Sequence, residues 1–276
     1  MTPYELMIET NRYLIKGAPA PFETLLSESQ KAGIVRQLLA ARSDAQTKER
    51  FYRGVKFPGN IDDAGRRMYP LFYIPPYNDG KKLKTIYNQT PKTHIFSANL
   101  YELEILRLLR LLAPNHPEVL EMISKTLARL KTTCFGNEDD GMGECFDTSL
   151  VALRFLAAAC PHDTAWIKSR IVSYNNHAGE KKRPWYSLWY YWLCLSELPF
   201  DIAEPEIMKY KNEMLNWLKN KSCVMNSEHD KAVHPVLLCS LRNCLCRFSE
   251  YEYIKGRQPY ISEKNGRLYF DMERKS

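Results

Sequence analysis

From residue 97 onward the sequence alternates between two kinds of helical segment, and this alternation limits the possible folds more than any other feature. Residues 99–112, 146–159, 186–198 and 235–247 are strongly apolar. Each of the first three is followed by a short proline-containing break and then a more amphipathic segment, at 117–131, 162–175 and 205–220. Within 147–159 only Asp147 and Arg154 are charged, and within 186–198 only Glu197. A helix that is apolar all round must be enclosed on most sides. The partner segments keep a wet face: Glu206, Lys209 and Glu213 share one of them with Ile207, Met214, Leu215 and Leu218. The apolar segments begin about 40 to 50 residues apart, the spacing of repeated helical hairpins. A unit of one buried and one half-buried helix cannot complete a core alone and must stack on its neighbours. The pattern therefore predicts an all-α chain of stacked antiparallel hairpins. Apolar helices form the inner wall and amphipathic helices the outer one, and the periodicity is compatible with a closed ring or an open arc.

The part before residue 97 is less regular. Residues 3–16 read as a helix with Pro3 at an allowed first position and Gly17 as a stop. Residues 27–42 read as a second, with Ser27 as cap and Ile34, Leu38 and Leu39 at helical spacing. Residues 53–94 then combine glycines and prolines with the aromatic run from Met68 to Tyr77. That composition is too long and too aromatic for an ordinary linker. It is expected to wrap over the helical body, so that residues 1–276 make a single domain with the regular repeats at 97–250.

Composition excludes several classes. With 45% hydrophobic and 26% charged residues the chain is globular rather than disordered. No apolar run reaches the length of a membrane span, and the N-terminus lacks the basic flank and apolar stretch of an export signal. A cytoplasmic protein without a transmembrane segment is the expectation. Eight cysteines are scattered along the chain, which predicts unbridged, largely buried thiols. No pair has compact metal-ligand spacing, so neither a metal nor another cofactor is expected. The net charge of +7 is uneven: residues 53–94 hold eight Lys/Arg against three Asp. In the absence of a recognition helix, zinc-finger spacing or an aromatic RNA-binding motif, no nucleic-acid partner follows from that charge. It suits an anionic small-molecule or peptide ligand instead.

The segment Asn137-Glu138-Asp139-Asp140-Gly141-Met142-Gly143-Glu144-Cys145-Phe146-Asp147-Thr148-Ser149, followed by the small and apolar run Leu150 to Ala159, carries a resemblance. It is similar to the acidic, glycine-containing turns and inner helices of the terpenoid cyclase and protein prenyltransferase superfamily. The likeness extends by hairpin arrangement over about residues 97–250. It implies a full or partial α/α toroid with a cavity at one mouth, lined by the loops before the inner helices, in which an isoprenoid chain is cyclised or transferred. The acid motif of the cyclases would need an aspartate where Asn137 stands. The zinc-binding Asp-x-Cys order of the prenyltransferases is reversed here in Cys145 and Asp147.

Candidate functional residues follow from the same loops. Crowded carboxylates raise one another's pKa and can keep a general acid protonated, which singles out Asp139, Asp140 and Glu144. Asp147 is expected to cap the helix that follows. His177 and His234 stand near the starts of inner helices and complete the acid–base material. The run from Trp185 to Trp192 puts Trp185 and Trp189 on one helical face, able to line a cavity wall or to fill a core. Lys182 and Arg183 just upstream supply positive charge for an anionic group. Two functions fit: an enzyme acting on an apolar or isoprenoid-like substrate in a toroid cavity, and a non-catalytic helical-repeat scaffold binding a peptide or small molecule on its concave face. Either requires more than half of the chain to be helical, which a far-ultraviolet circular dichroism spectrum measures directly.

Overall fold

The computed structural model of the protein describes residues 1–20, 22–43, 70–72, 83–137, 143–178, 185–220 and 223–273. Of these, 71% are helical, so the chain is the mostly helical fold that its sequence predicts. Most of the 53–94 segment, with its expected wrap, lies outside the described residues. Among the described residues no helix is long and apolar enough to cross a membrane. The structure divides into two compact units. The first holds Met1–Ile8, Leu26–Thr85 and Thr90–Arg183, and the second holds Glu9–Leu25, Ile86–Gln89 and Pro184–Ser276. Helix α1 (Pro3–Gly17) contributes to both.

The first unit contains α3 (Glu28–Ala40), α4 (His94–Leu112), α5 (Pro117–Leu130), the short α6 (Cys134–Asn137), α7 (Gly143–Ala159) and α8 (Thr164–Ala178). Ser27 caps α3 as its sequence predicts. The Ser27 side chain accepts from the Gln30 amide while the Gln30 side chain accepts from the Ser27 amide, a reciprocal capping box. The apolar helices α4 and α7 pack on each other, and the amphipathic helices α5 and α8 pack on α4 and α7 respectively. Leu103, Ile105, Leu106, Leu108 and Leu109 of α4 are fully buried, as are Ala152, Leu153, Phe155 and Leu156 of α7. Inner and outer walls therefore pair within this unit as the alternation requires.

Helix α4 nonetheless carries two buried carboxylates. Glu102 and Glu104 stand two positions apart, about 200° around a helix of 3.6 residues per turn, so they leave on opposite sides. Glu102 meets α5: its Oε2 lies 3.0 Å from Arg129 Nη2, its Oε1 accepts from Thr126 Oγ1, and Arg129 also donates to Asn99 Oδ1. Glu104 meets α7, where Arg154 Nη1 donates to both of its oxygens at 2.8 and 2.9 Å. The side chains of both pairs are at most 5% exposed. Each ion pair thus fixes the register of α4 against one neighbour.

A second local constraint orders α6. A Cβ added at Gly136 would collide with the Leu130 carbonyl oxygen and Thr133 Oγ1, so only glycine fits this close approach. The Gly136 carbonyl accepts from Trp166 Nε1 at 2.6 Å and the Asn137 carbonyl from Arg170 Nη2 at 2.7 Å, both from α8.

The second unit contains α2 (Phe22–Leu25), α9 (Trp185–Glu197), α10 (Phe200–Asn220), α11 (Glu228–Leu245) and a 3₁₀ turn at Ser249–Ile254. Helices α9 and α11 pack together, and α10 packs on both. Both α10 and α11 start earlier than the prolines at 205 and 235 predict. In α10, burial of Ile202 and Ala203 compensates for the hydrogen bond that Pro205 cannot make. In α11, Ser227 and Asp230 form a capping box upstream of the expected start at residue 235, and Pro235 is enclosed within the helix. A feature absent from the sequence reading is a small antiparallel sheet in the order β1 (Cys223–Val224), β3 (Arg267–Tyr269), β2 (Tyr260–Ile261). Gly266, at φ 65°, supplies the left-handed residue that the β2–β3 turn needs.

Arg242 of α11 is fully buried and is met by carbonyl dipoles. It donates to the Ile15, Lys16 and Ala18 carbonyls at the C-terminal end of α1 and to the Arg257 carbonyl. Asn243 adds a bond to the Ile15 carbonyl at 3.0 Å. The exposed oxygens of a helix C-terminus attract a cation, and here the cation comes from more than two hundred residues away.

Removing one member of a buried ion pair strands the other charge. Arg154→Leu should therefore lower unfolding free energy in urea by about 3–5 kcal/mol. The double change Glu104→Leu/Arg154→Leu should cost much less than Arg154→Leu and Glu104→Leu added together, because no unpaired charge is left buried.

Candidate functional site

The first unit holds an open cleft of about 500 Å³ between α3 and the end of α4. Its floor is apolar: Val35 and Leu39, one turn apart on α3, face Leu112 and Ala113. Its rim carries Lys31, Arg36 and His116 against the one carboxylate of Glu28. The Lys31 side chain is 11% exposed and pairs at 2.7 Å with Glu28, whose side chain is 90% exposed. An exposed partner holds a cation weakly, about 0.3–0.5 kcal/mol for a helical pair. Exchange of Glu28 for a competing anion therefore costs little. His116 is the N-cap of α5 and makes no side-chain cap bond, and Pro117 follows it without an N–H. The positive end of the α5 dipole thus lies beside the same rim.

In the second unit the structure brings together Trp189 and His234, at a ring separation of 6.0 Å. Tyr87 and Trp217 pack edge-on against Trp189 at 6.1 and 5.7 Å. The Trp189 Nε1 is buried without a hydrogen-bond acceptor among the described residues. Asp230 Oδ1 lies 3.6 Å from His234 Nε2, while Asp230 Oδ2 accepts from Ser227. Burial holds the His234 pKa below its ordinary value, a shift that the Asp230 charge opposes and the nearby His229 reinforces. The Ser227 bond holds the Asp230 carboxyl below its usual range. At neutral pH this is an uncharged imidazole beside an ionised carboxylate in an aromatic setting.

Of the other residues singled out in the sequence, Glu144, Asp147 and His177 are described. Glu144 accepts from the Lys92 amide at 2.5 Å and the Thr93 amide at 2.7 Å, so both of its oxygens tie the first turn of α7 to the N-terminus of α4. Asp147 does not cap α7. The helix begins four residues earlier, at Gly143, because the Glu144 anchor extends it, and Asp147 falls inside. His177 is half-buried in the last turn of α8 rather than ahead of an inner helix, and His234 stands in the second turn of α11. Glu144 and His177 belong to the first unit, Trp189 and His234 to the second. Asp139, Asp140, Lys182 and Arg183 lie outside the described residues, as does the side chain of Trp185. Among the described residues no group of three or more His, Cys, Asp or Glu is placed to hold a metal ion.

Sequence reasoning missed the cleft. Its signal was present in the Lys31, Val35, Arg36 and Leu39 face of α3, but the Leu112 and Ala113 wall comes from a helix more than seventy residues away. No protein-family model matches the chain, nor does any curated protein or solved structure.

Two outcomes follow from this geometry. Glu144→Gln should destabilise the fold by about 1–2 kcal/mol in urea, since the neutral amide keeps one acceptor and turns an N–H donor toward a backbone donor. For His234, the folded pKa lies below the unfolded value of 6.5. The unfolded chain therefore binds the proton first as the pH falls, and stability present above 6.5 is lost as the pH drops toward the folded pKa. His234→Gln should flatten that part of the stability-against-pH curve.

Proposed function

We propose that this chain is a helical-hairpin protein that binds a small amphipathic ligand, one with an apolar tail and an anionic head, in the cleft between α3 and α4. The observation that carries this reading is the cleft itself: about 500 Å³, an apolar floor of Val35, Leu39 and Leu112, and a rim of Lys31, Arg36 and His116. The volume falls in the range of small-molecule sites, where apolar walls supply affinity and a few polar groups fix orientation. The tail buries against the floor and the head displaces Glu28 from Lys31. The use of Glu144 as an anchor favours binding over chemistry. Prenyl diphosphates and fatty acids share the required chemistry, and the former accords with the full or partial toroid that the hairpins resemble.

Calorimetric titration with dodecanoate and with farnesyl diphosphate tests the proposal. Both should bind, and dodecanol and farnesol should bind more weakly. Arg36→Glu should weaken the anions by about tenfold, equivalent to about 1.4 kcal/mol, and Leu39→Trp should close the cleft. Equal affinity of the parent and both variants, or no binding of either anion, would overturn it.

The enzyme reading is favoured by one observation, the neutral His234 beside Asp230 and Trp189. If farnesyl diphosphate is turned over, and His234→Gln abolishes turnover while leaving its binding intact, the acid–base reading replaces the binding one.

A further inference from the structure

We infer that Cys134 and Cys145 form a dithiol that a low-molecular-weight disulfide oxidises reversibly to an intrachain bond, a modification site independent of the ligand cleft. Their sulfurs are 3.6 Å apart. Cys134 opens α6 and Cys145 lies in the first turn of α7, two helices that pack directly on each other. A disulfide needs about 2.05 Å between sulfurs, so closure takes a movement of about 1.5 Å, within side-chain rotation and a small shift of the α6 turn. Both residues are half-buried rather than fully enclosed. Their frame is fixed on both sides. The Trp166 and Arg170 side chains hold the carbonyls at the end of α6, and the Glu144 carboxylate holds the start of α7.

The other cysteines set the selectivity. None of the seven cysteines whose side chains are described is bridged, and Cys194, Cys239, Cys244 and Cys246 are buried. Burial pushes the Cys239, Cys244 and Cys246 thiols up, and that of Cys160 up to about 11, with Asp163 adding to the last. Exchange proceeds through the thiolate, so these groups react slowly at neutral pH.

With glutathione disulfide the steps balance. The thiolate of Cys134 or Cys145 attacks one sulfur of the reagent, forming a mixed disulfide and releasing one glutathione thiolate. The thiolate of the second cysteine then attacks the protein sulfur of that mixed disulfide and releases the second glutathione. Two protein thiols are oxidised, one reagent disulfide is reduced to two thiols, and the two protons leave on the released glutathione. The product joins α6 to α7 beside the Glu144 anchor.

The experiment uses the full chain, reduced, freed of reductant and equilibrated with glutathione disulfide, then alkylated in denaturant. The count of alkylatable thiols should fall from the eight of the sequence to six. The mass should drop by two hydrogens, and peptide mapping should join Cys134 to Cys145, with dithiothreitol restoring the starting state. Cys134→Ser should stop at the intermediate and retain one glutathione on Cys145. A count that stays at eight, a glutathione adduct that persists on the parent chain, or a bond to any other cysteine would overturn the assignment, and each can be read on the parent chain alone.

Discussion

Two buried carboxylates on a largely apolar helix organise the first unit. Burying a charge is costly unless an opposite charge and further hydrogen bonds meet it. For Glu102 and Glu104 that condition is satisfied only when Arg129 of α5 and Arg154 of α7 stand on opposite sides of α4. Leucine against leucine tolerates sliding by a turn, because apolar contact is not directional. An arginine forked onto one carboxylate does not. The apolar surfaces of α4 and α7 drive collapse, and the ion pairs decide which of the many possible registers is kept. The position of α3 over α4, and with it the cleft, inherits that register.

The second unit reaches the same end with a different device. Arg242 has the carbonyl oxygens of a helix end around it, and Asn243 holds one of the same oxygens. The arginine is thus dependent on α1 ending where it does. Gly17, read from sequence as a simple stop, closes the helix beside that arginine.

The helices were legible because their signals are local. Residues 99–112 and 117–131 resolve as His94–Leu112 and Pro117–Leu130, and Ser27 makes the cap its identity suggests. Reading failed where a distant partner outweighed a local rule. Pro205 looks like a helix start, yet burial of Ile202 carries α10 through it; at Pro235 the competing signal was itself local, the Ser227 capping box that starts α11 upstream. Asp147 looks like a cap, yet an interaction of Glu144 with residues about fifty positions earlier moves the helix start. The strand at 267–269 pairs with 223–224, a partner no short window contains. Of the expected site, the proximity of Trp189 and His234 is real, because the aromatic run and the histidine lie on the two apolar helices that pack together. The cleft was not legible, since a third of its lining, Leu112, Ala113 and His116, comes from a segment more than seventy residues further along the chain.

The carbonyls that Arg242 binds have a consequence for biosynthesis. Ile15 leaves the ribosome 227 residues before the arginine that completes its helix end. Throughout that interval the Ile15, Lys16 and Ala18 carbonyls lack the guanidinium that meets them in the finished protein, whereas the α4–α7 pairing of the first unit needs only residues already made. Synthesis therefore completes the end of α1 only once residue 242 has been made. Until then the terminal oxygens of that helix are left to water.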